Sequence, residues 1–337
     1  FDCLTGTIEY FKKDSKDLLF DVSQPASVGV TSIIQNIGKV TNSGVEIELD
    51  YNAFKNKDWS VSVGANATFV KNKIKNLPAT MKENGYISGS KKWLEGKSIY
   101  EFWLRQWHGV DPQTGDGLYV ADVSKYNQGN IGTGDGNITQ SQFDEYKKTV
   151  VTIDGKELTN SYTYAKYDFS GSSIPDVFGG FNVRVSYKNF DLAAVFSYQL
   201  GGQVLDTNYA TMMSMTEFGY AQSPDLLKAW KQAGDITEVP RIDNSAAHTT
   251  NIGQSYSTRW LTSSDYLNLR SVTIGYQFPK AWLSKVMLKS ARLNLTAENL
   301  FMLKARQGLN PMANYSGVTY NEYMPSRNIT LGLNVSF

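Results

Sequence analysis

The chain holds one cysteine, Cys3, and two histidines, His108 and His248, in 337 residues. A single thiol excludes an internal disulfide framework and every metal site built from several cysteines. Neither histidine has a second ligand at useful spacing, and no HExxH, CxxC, GxSxG or phosphate-loop pattern occurs. Charge of one sign is not in excess: 33 Lys and Arg against 32 Asp and Glu leave a formal charge of +1. That balance gives no reason to expect a nucleic-acid partner or an acidic substrate. No run of about 18 apolar residues exists, so no segment reads as a transmembrane helix. The chain begins at Phe1 with neither a methionine nor a signal-peptide pattern, which leads us to expect a piece of a longer secreted precursor.

What is present is aromatic and alternating. Twenty Tyr, 16 Phe and 7 Trp bring the aromatic share to 13%. Val45, Ile47, Leu49 and Tyr51 share one face of a strand whose other face carries Glu46, Glu48 and Asp50. Trp59, Val61, Val63, Ala65, Ala67 and Phe69 alternate with Ser60, Ser62, Gly64, Asn66 and Thr68. The same period of two runs through Phe181–Tyr187, Phe190–Tyr198, Ala291–Ala297 and Ile329–Phe337. Runs of this length suit strands that cross a bilayer, one face toward lipid and the other toward a polar lumen. A soluble sandwich also alternates. It would show mid-strand Glu, Asp, Arg and Lys to bulk water, and it has no need for the Tyr, Trp and Phe that end these apolar faces.

Ten strands are expected, near 4–13, 43–52, 58–71, 98–110, 117–123, 178–188, 190–200, 265–278, 291–301 and 326–337. In the eighth, apolar parity changes near Arg270, which predicts a β-bulge. Short turns are expected after Tyr51, at Asp111–Gly115 and at Lys188–Asn189, with a moderate link from Pro279 to Ser290. Long polar connectors lie near 14–42, 72–97, 124–176, 201–264 and 304–325. Alternating long and short links are how outer-membrane barrels place extracellular loops and periplasmic turns. Five long loops would be unusual in a compact soluble domain. The fold class expected is therefore an all-β transmembrane antiparallel barrel.

Several motifs carry a family likeness, in order along the chain. They are Asn42-Ser43-Gly44-Val45-Glu46-Ile47, the turn Gly109-Val110-Asp111-Pro112-Gln113-Thr114-Gly115, and the hairpin from Ile174-Pro175-Asp176-Val177-Phe178-Gly179-Gly180 through Tyr187-Lys188-Asn189-Phe190-Asp191-Leu192. Then come Asp265-Tyr266-Leu267-Asn268-Leu269-Arg270 with Ile274-Gly275-Tyr276-Gln277-Phe278-Pro279, Glu298-Asn299-Leu300-Phe301, and the ending Tyr323–Phe337. Together they resemble the C-terminal part of SusC/RagA-type, TonB-dependent outer-membrane transporters. The resemblance runs from about residue 4 to the end. It implies a 22-stranded barrel of which this chain supplies about the last ten strands, the plug domain, TonB box and first strands lying outside it. It also implies a SusD-like lipoprotein partner, coupling to TonB through the N-terminal region, long loops outside and the C-terminus in the periplasm. Phe337 resembles the C-terminal aromatic read by barrel-assembly machinery, and an ordinary lipid-facing residue at the strand end fits it equally.

The carboxylates Glu46, Glu48 and Asp50 lie at i, i+2, i+4 along one polar strand face, as a hydrated wall requires and a glycosidase pair does not. Thr133-Gly134-Asp135-Gly136-Asn137 hints at a calcium loop, but in EF-hand register Ile131 and Gln142 fall where carboxylates are needed. Pro224–Trp230 reads as a short helix. Trp93, Tyr220, Trp230 and Arg241 are the candidate solute- or partner-binding residues, able to stack on or clamp a solute, and loop-on-loop packing is the alternative. Trp103, Trp107 and Tyr100 are expected in the girdle or in strands. The function expected is active import of a large nutrient, glycan or oligopeptide, with no enzymatic step and no resident cofactor. A passive porin, a structural barrel and a secreted carbohydrate-binding or hydrolytic sandwich are the alternatives.

Overall fold

The period-two segments pair into one antiparallel sheet, the wall, in a computed structural model that describes residues 3–23, 32–36, 38–214, 219, 221–243, 245, 248, 252–253, 256–320 and 322–337. Its eight strands are β1 (Leu4–Lys16), β2 (Lys39–Lys55), β3 (Trp59–Asn76), β4 (Val177–Tyr187), β5 (Phe190–Leu200), β6 (Tyr266–Gln277), β7 (Ser290–Lys304) and β8 (Asn328–Ser336). They lie side by side in chain order.

Directly opposed residues share a face, so the register shows whether alternation survives across strands. One apolar row crosses all eight: Leu4, Tyr51, Val63, Val183, Ala194, Val272, Ala297 and Ile329. One residue away on the other face run Asn52, Ser62, Arg184, Ala193, Thr273, Thr296 and Thr330. Toward one end of the apolar face an aromatic row closes the band. Trp59 and Tyr187 sit 4.3 Å apart, Phe190 and Tyr276 4.5 Å. From Trp59 to Phe69 is ten residue steps along β3. At roughly 3.3 Å per residue and a tilt of about 45°, that is about 23 Å, close to the height of a barrel's apolar band.

The expected bulge is present. Between β5 and β6, Val195 faces Ser271 while Phe196 faces Leu269, leaving Arg270 as the extra residue. Against β7, the step from Leu269 to Ser271 is matched by a step from Phe301 to Glu298, with Asn299 at φ 52°. The parity change in the sequence is this bulge.

Two expected wall strands are not in the wall. Residues 98–110 and 117–123 lie in a crown built from the connectors. Glu101–Arg105 pairs with Tyr167–Ser172, and Trp107–Val110 pairs with Gly117–Val120. Glu101–Arg105 alternates as the wall does but buries Phe102 and Leu104 in a crown core, and Gly117–Val120 is buried on both faces: all four of Phe102, Leu104, Leu118 and Tyr119 are at most 2% exposed. The Asp111–Gly115 turn therefore belongs to the crown and not to the short-turn end. Residues 77–176 form one excursion between β3 and β4, 201–265 a second between β5 and β6, and 305–327 a third between β7 and β8. Residues 56–58, 188–189 and 278–289 make the short links at the opposite end.

The crown has its own cores. Phe102, Leu104, Leu205, Ala210, Met213, Ala229, Val239, Trp260 and Val318 unite all three excursions. A second cluster, with Tyr126, Phe143, Tyr146 and Tyr164, packs the helix Gln140–Thr149, whose start carries a Thr139–Gln142 capping box. A third joins Val40 and Ile74 at the top of the wall to Leu77 and Met81. The strands run longer than expected at this end because pairing continues past the apolar band, where the polar pair Asn72 Nδ2 to Asn42 Oδ1 (2.7 Å) lies beside Val40 and Ile74 under the crown.

Candidate functional site at the mouth of the wall

The polar face carries hydroxyls and amides with charged groups set among them. Glu46, Glu48 and Asp50 are exposed along β2. Asp191 on β5 and Arg292 on β7 meet at 2.7 Å across the intervening β6. Gly275 makes this possible: a Cβ there would stand 2.3 Å from the guanidinium and 2.7 Å from the carboxylate. This pair thus lies flat across the wall.

Where this face meets the crown, a cavity of about 230 Å³ opens. Phe178, Gln199 and Tyr266 enter it from the wall, and Ser173, Gln203, Asn314 and Tyr315 from the crown. Gln199 is fixed by donating to Ser264 Oγ at 2.8 Å, and Tyr315 meets Tyr100 edge to face at 5.7 Å. None of the residues lining the cavity is charged. Behind it lies Lys91, 8% exposed, whose ammonium donates to the Tyr100 carbonyl at 2.9 Å and to Ser173 Oγ at 3.4 Å. Burial pushes this lysine down to about 7, while its two acceptors and the Phe102 ring, 3.2 Å away, favour the charged form.

The third excursion is tied down by buried charge. Asp206, 4% exposed, caps the helix Thr207–Met212, accepts from Thr319 Oγ1 at 3.2 Å and pairs with Arg306. The Arg306 guanidinium lies 3.5 Å from the centre of the Tyr209 ring. Leu205 and Gly317 extend the link through a backbone bond of 2.7 Å. These contacts hold Asn314 and Tyr315 over the cavity.

Of the residues singled out from sequence, Trp230 and Arg241 come together and Trp93 stands apart. Pro224–Lys228 forms a 3₁₀ turn capped by Ser223, and Trp230 follows it. The Trp230 indole donates to the Pro112 carbonyl at 3.0 Å, and Arg241 bonds Asp116 at 3.1 Å and Asp243 at 2.7 Å. Gly115, at φ +74°, sits under the indole, where a Cβ would come within 2.4 Å of it. The two residues thus grip the 111–116 turn. Trp93 packs on the Ile74–Leu77 cluster and donates to the Ile99 carbonyl at 3.2 Å. Tyr220 lies outside the described residues. Trp103, Trp107 and Tyr100 are crown residues, Trp103 and Trp107 under the side chains of Lys92 and Arg259, so the girdle does not include them. Phe337 is 79% exposed beyond the end of β8. In the 133–137 turn Asp135 is the one carboxylate, a poor match to a calcium cage. Among the described residues no three His, Cys, Asp or Glu side chains gather as a metal site.

The cavity residues were not recognisable beforehand. Ser173, Gln199 and the adjacent Asn314 and Tyr315 belong to three chain segments, and single amides and hydroxyls in a strand end or a polar connector carry no signal of their own.

Comparison with known proteins agrees with this architecture. Residues 2–142 match the family described as TonB dependent receptor-like, beta-barrel. The chain is 27% identical to TonB-dependent receptor P3 of Formosa agariphila, over 98% of this chain and 32% of that protein. It is 24% identical to TonB-dependent receptor SusC of Bacteroides thetaiotaomicron, over 99% of this chain and 30% of SusC. The solved RagAB peptide transporter superposes with a TM-score of 0.76 at 24% identity, over 100% of this chain and 34% of that one. The chain spans about a third of the length of the curated relatives it matches.

Proposed function

We propose, from the premise that this chain is a stretch of TonB-dependent receptor β-barrel similar to SusC and RagA, that it forms part of the wall and crown of an active importer of large solutes. One observation carries the reading: the long connectors after β3, β5 and β7 fold together into a crown at one end of a wall whose inner face is polar and whose outer face is apolar. A porin has no need of so large a packed crown, whereas an importer must present a binding surface above its lumen. In this reading the crown is extracellular, the short turns and Phe337 are periplasmic, and Phe337 serves barrel assembly. The upstream part of the same barrel supplies the plug and the TonB contact, and a SusD-like lipoprotein caps the mouth.

Solute contacts are assigned to the uncharged mouth cavity. Trp230 and Arg241 hold the 111–116 turn in shape, and Trp93 braces the top of β3. An oligopeptide, as transported by RagAB, suits a cavity of amides and hydroxyls, and so does a neutral glycan. Uptake of labelled oligopeptides and oligosaccharides into cells with and without the complete gene tests this. Import should vanish with the gene and with the proton-motive force. Uptake that persists after the force is dissipated would point instead to a passive pore.

A further inference from the structure

We propose that the outer side of the wall carries a groove that seats one acyl chain of a membrane lipid, in the leaflet nearest the crown. The depression holds about 530 Å³, within the ordinary range of small-molecule sites. Leu267 lines it between Phe181 and Tyr198 on one flank and Leu303 on the other. Leu200 stands at its upper end and Asp265 beneath the crown. Phe181, Tyr198, Leu267 and Leu303 all occupy apolar rows of the register, so the groove opens on the face that meets hydrocarbon.

Two local features make a depression there. Tyr198 reaches sideways across β4, where the residue opposite it is Gly179, and its hydroxyl donates to the Asn66 carbonyl on β3 at 3.0 Å. A ring laid along the sheet stands lower than an upright one. Just below, the bulge at Arg270, with Asn299 opposite in the left-handed region, adds twist between β6 and β7. The remainder of the apolar face, around Leu192, Ile274 and Leu331, has regular pairing.

The lining identifies the occupant. Asp265, Ser263 and Lys304, whose ammonium is held by the Leu309 carbonyl, place polar groups at the crown end, while Phe181, Tyr198, Leu200, Leu267 and Leu303 below them are hydrocarbon or aromatic. A peptide or sugar would strand its polar atoms against those flanks, whereas an acyl chain has none to strand and is already supplied by the surrounding bilayer. The groove is continuous with the lipid-facing surface, and its polar end lies where a headgroup would sit. This inference rests on the reading of the apolar face as membrane-facing and is independent of import.

The complete transporter, reconstituted in phosphatidylethanolamine–phosphatidylglycerol vesicles doped with a phospholipid carrying a diazirine on its acyl chain, provides the test. After irradiation, mass spectrometry maps the adducts. Tyr198, Leu267 and Leu303 should be labelled several-fold more than Leu192 and Leu331. Leu303→Trp should bring Tyr198 and Leu267 down to the level of the flat surface, and Leu331→Trp should leave them unchanged. Even labelling over the whole face, a labelled flat face with a silent groove, or full groove labelling in Leu303→Trp would each overturn the proposal. Silence over the entire wall would instead refute the membrane barrel from which the proposal starts.

Discussion

Lys91 is a buried cation with no carboxylate within ion-pairing distance among the described residues, beside a cavity that carries no charge. Its ordinary value is 10.5 and burial brings it to about 7 in the fold. Between those values the unfolded chain binds a proton that the folded crown releases, so stability rises as pH rises through that window and is flat below it. The urea midpoint for crown unfolding, followed by tryptophan fluorescence, should therefore increase from pH 7 to pH 10. Lys91→Met should flatten the slope, and an unchanged slope in that variant would contradict the assignment. Nothing in the sequence around Ser90, Lys91 and Lys92 separates this lysine from its solvated neighbour. Its setting is made by Tyr100, Phe102 and Ser173, brought together by tertiary folding.

At the scale of strands, legibility divided along physical lines. The wall could be read because lipid and lumen impose opposite chemistry on successive residues, and the Arg270 bulge could be read because it shifts that parity. The segment at 98–110 looks like wall for the same reason, whereas 117–123 is a short apolar run buried on both faces in the crown. A crown strand that buries Phe102 and Leu104 alternates just as a wall strand does, and alternation reports a two-faced environment without saying which. In the structure Glu101–Arg105 has five residues and Gly117–Val120 four, too few to cross a bilayer. The two-faced wall makes a sharp expectation for adjacent positions on β3. Val63→Arg, pointing outward near mid-band, should cost about 2–4 kcal/mol of folding free energy in vesicles, and Ser62→Arg on the inner face much less. Similar losses for both in a refolding titration would mean that the faces are misassigned.

For the molecule as a whole, moving one pair of strands from wall to crown changed the strand count without changing parity. Both segments lie in a single excursion, so all long connectors still emerge at one end and all short turns at the other. The crown thereby becomes a folded body with cores of its own, large enough to shape a mouth, while the wall keeps its polar interior. Its placement outside the cell is the central claim, and site-directed labelling tests it directly. In the complete protein carrying Cys3→Ser, single cysteines at the exposed positions Asn84 and Asp135 in the crown and Lys57 in a short turn would be probed with a membrane-impermeant maleimide. On intact cells the first two should react and the third should react only after lysis. Reaction at Lys57→Cys on intact cells, with Asn84→Cys and Asp135→Cys silent until lysis, would contradict the account.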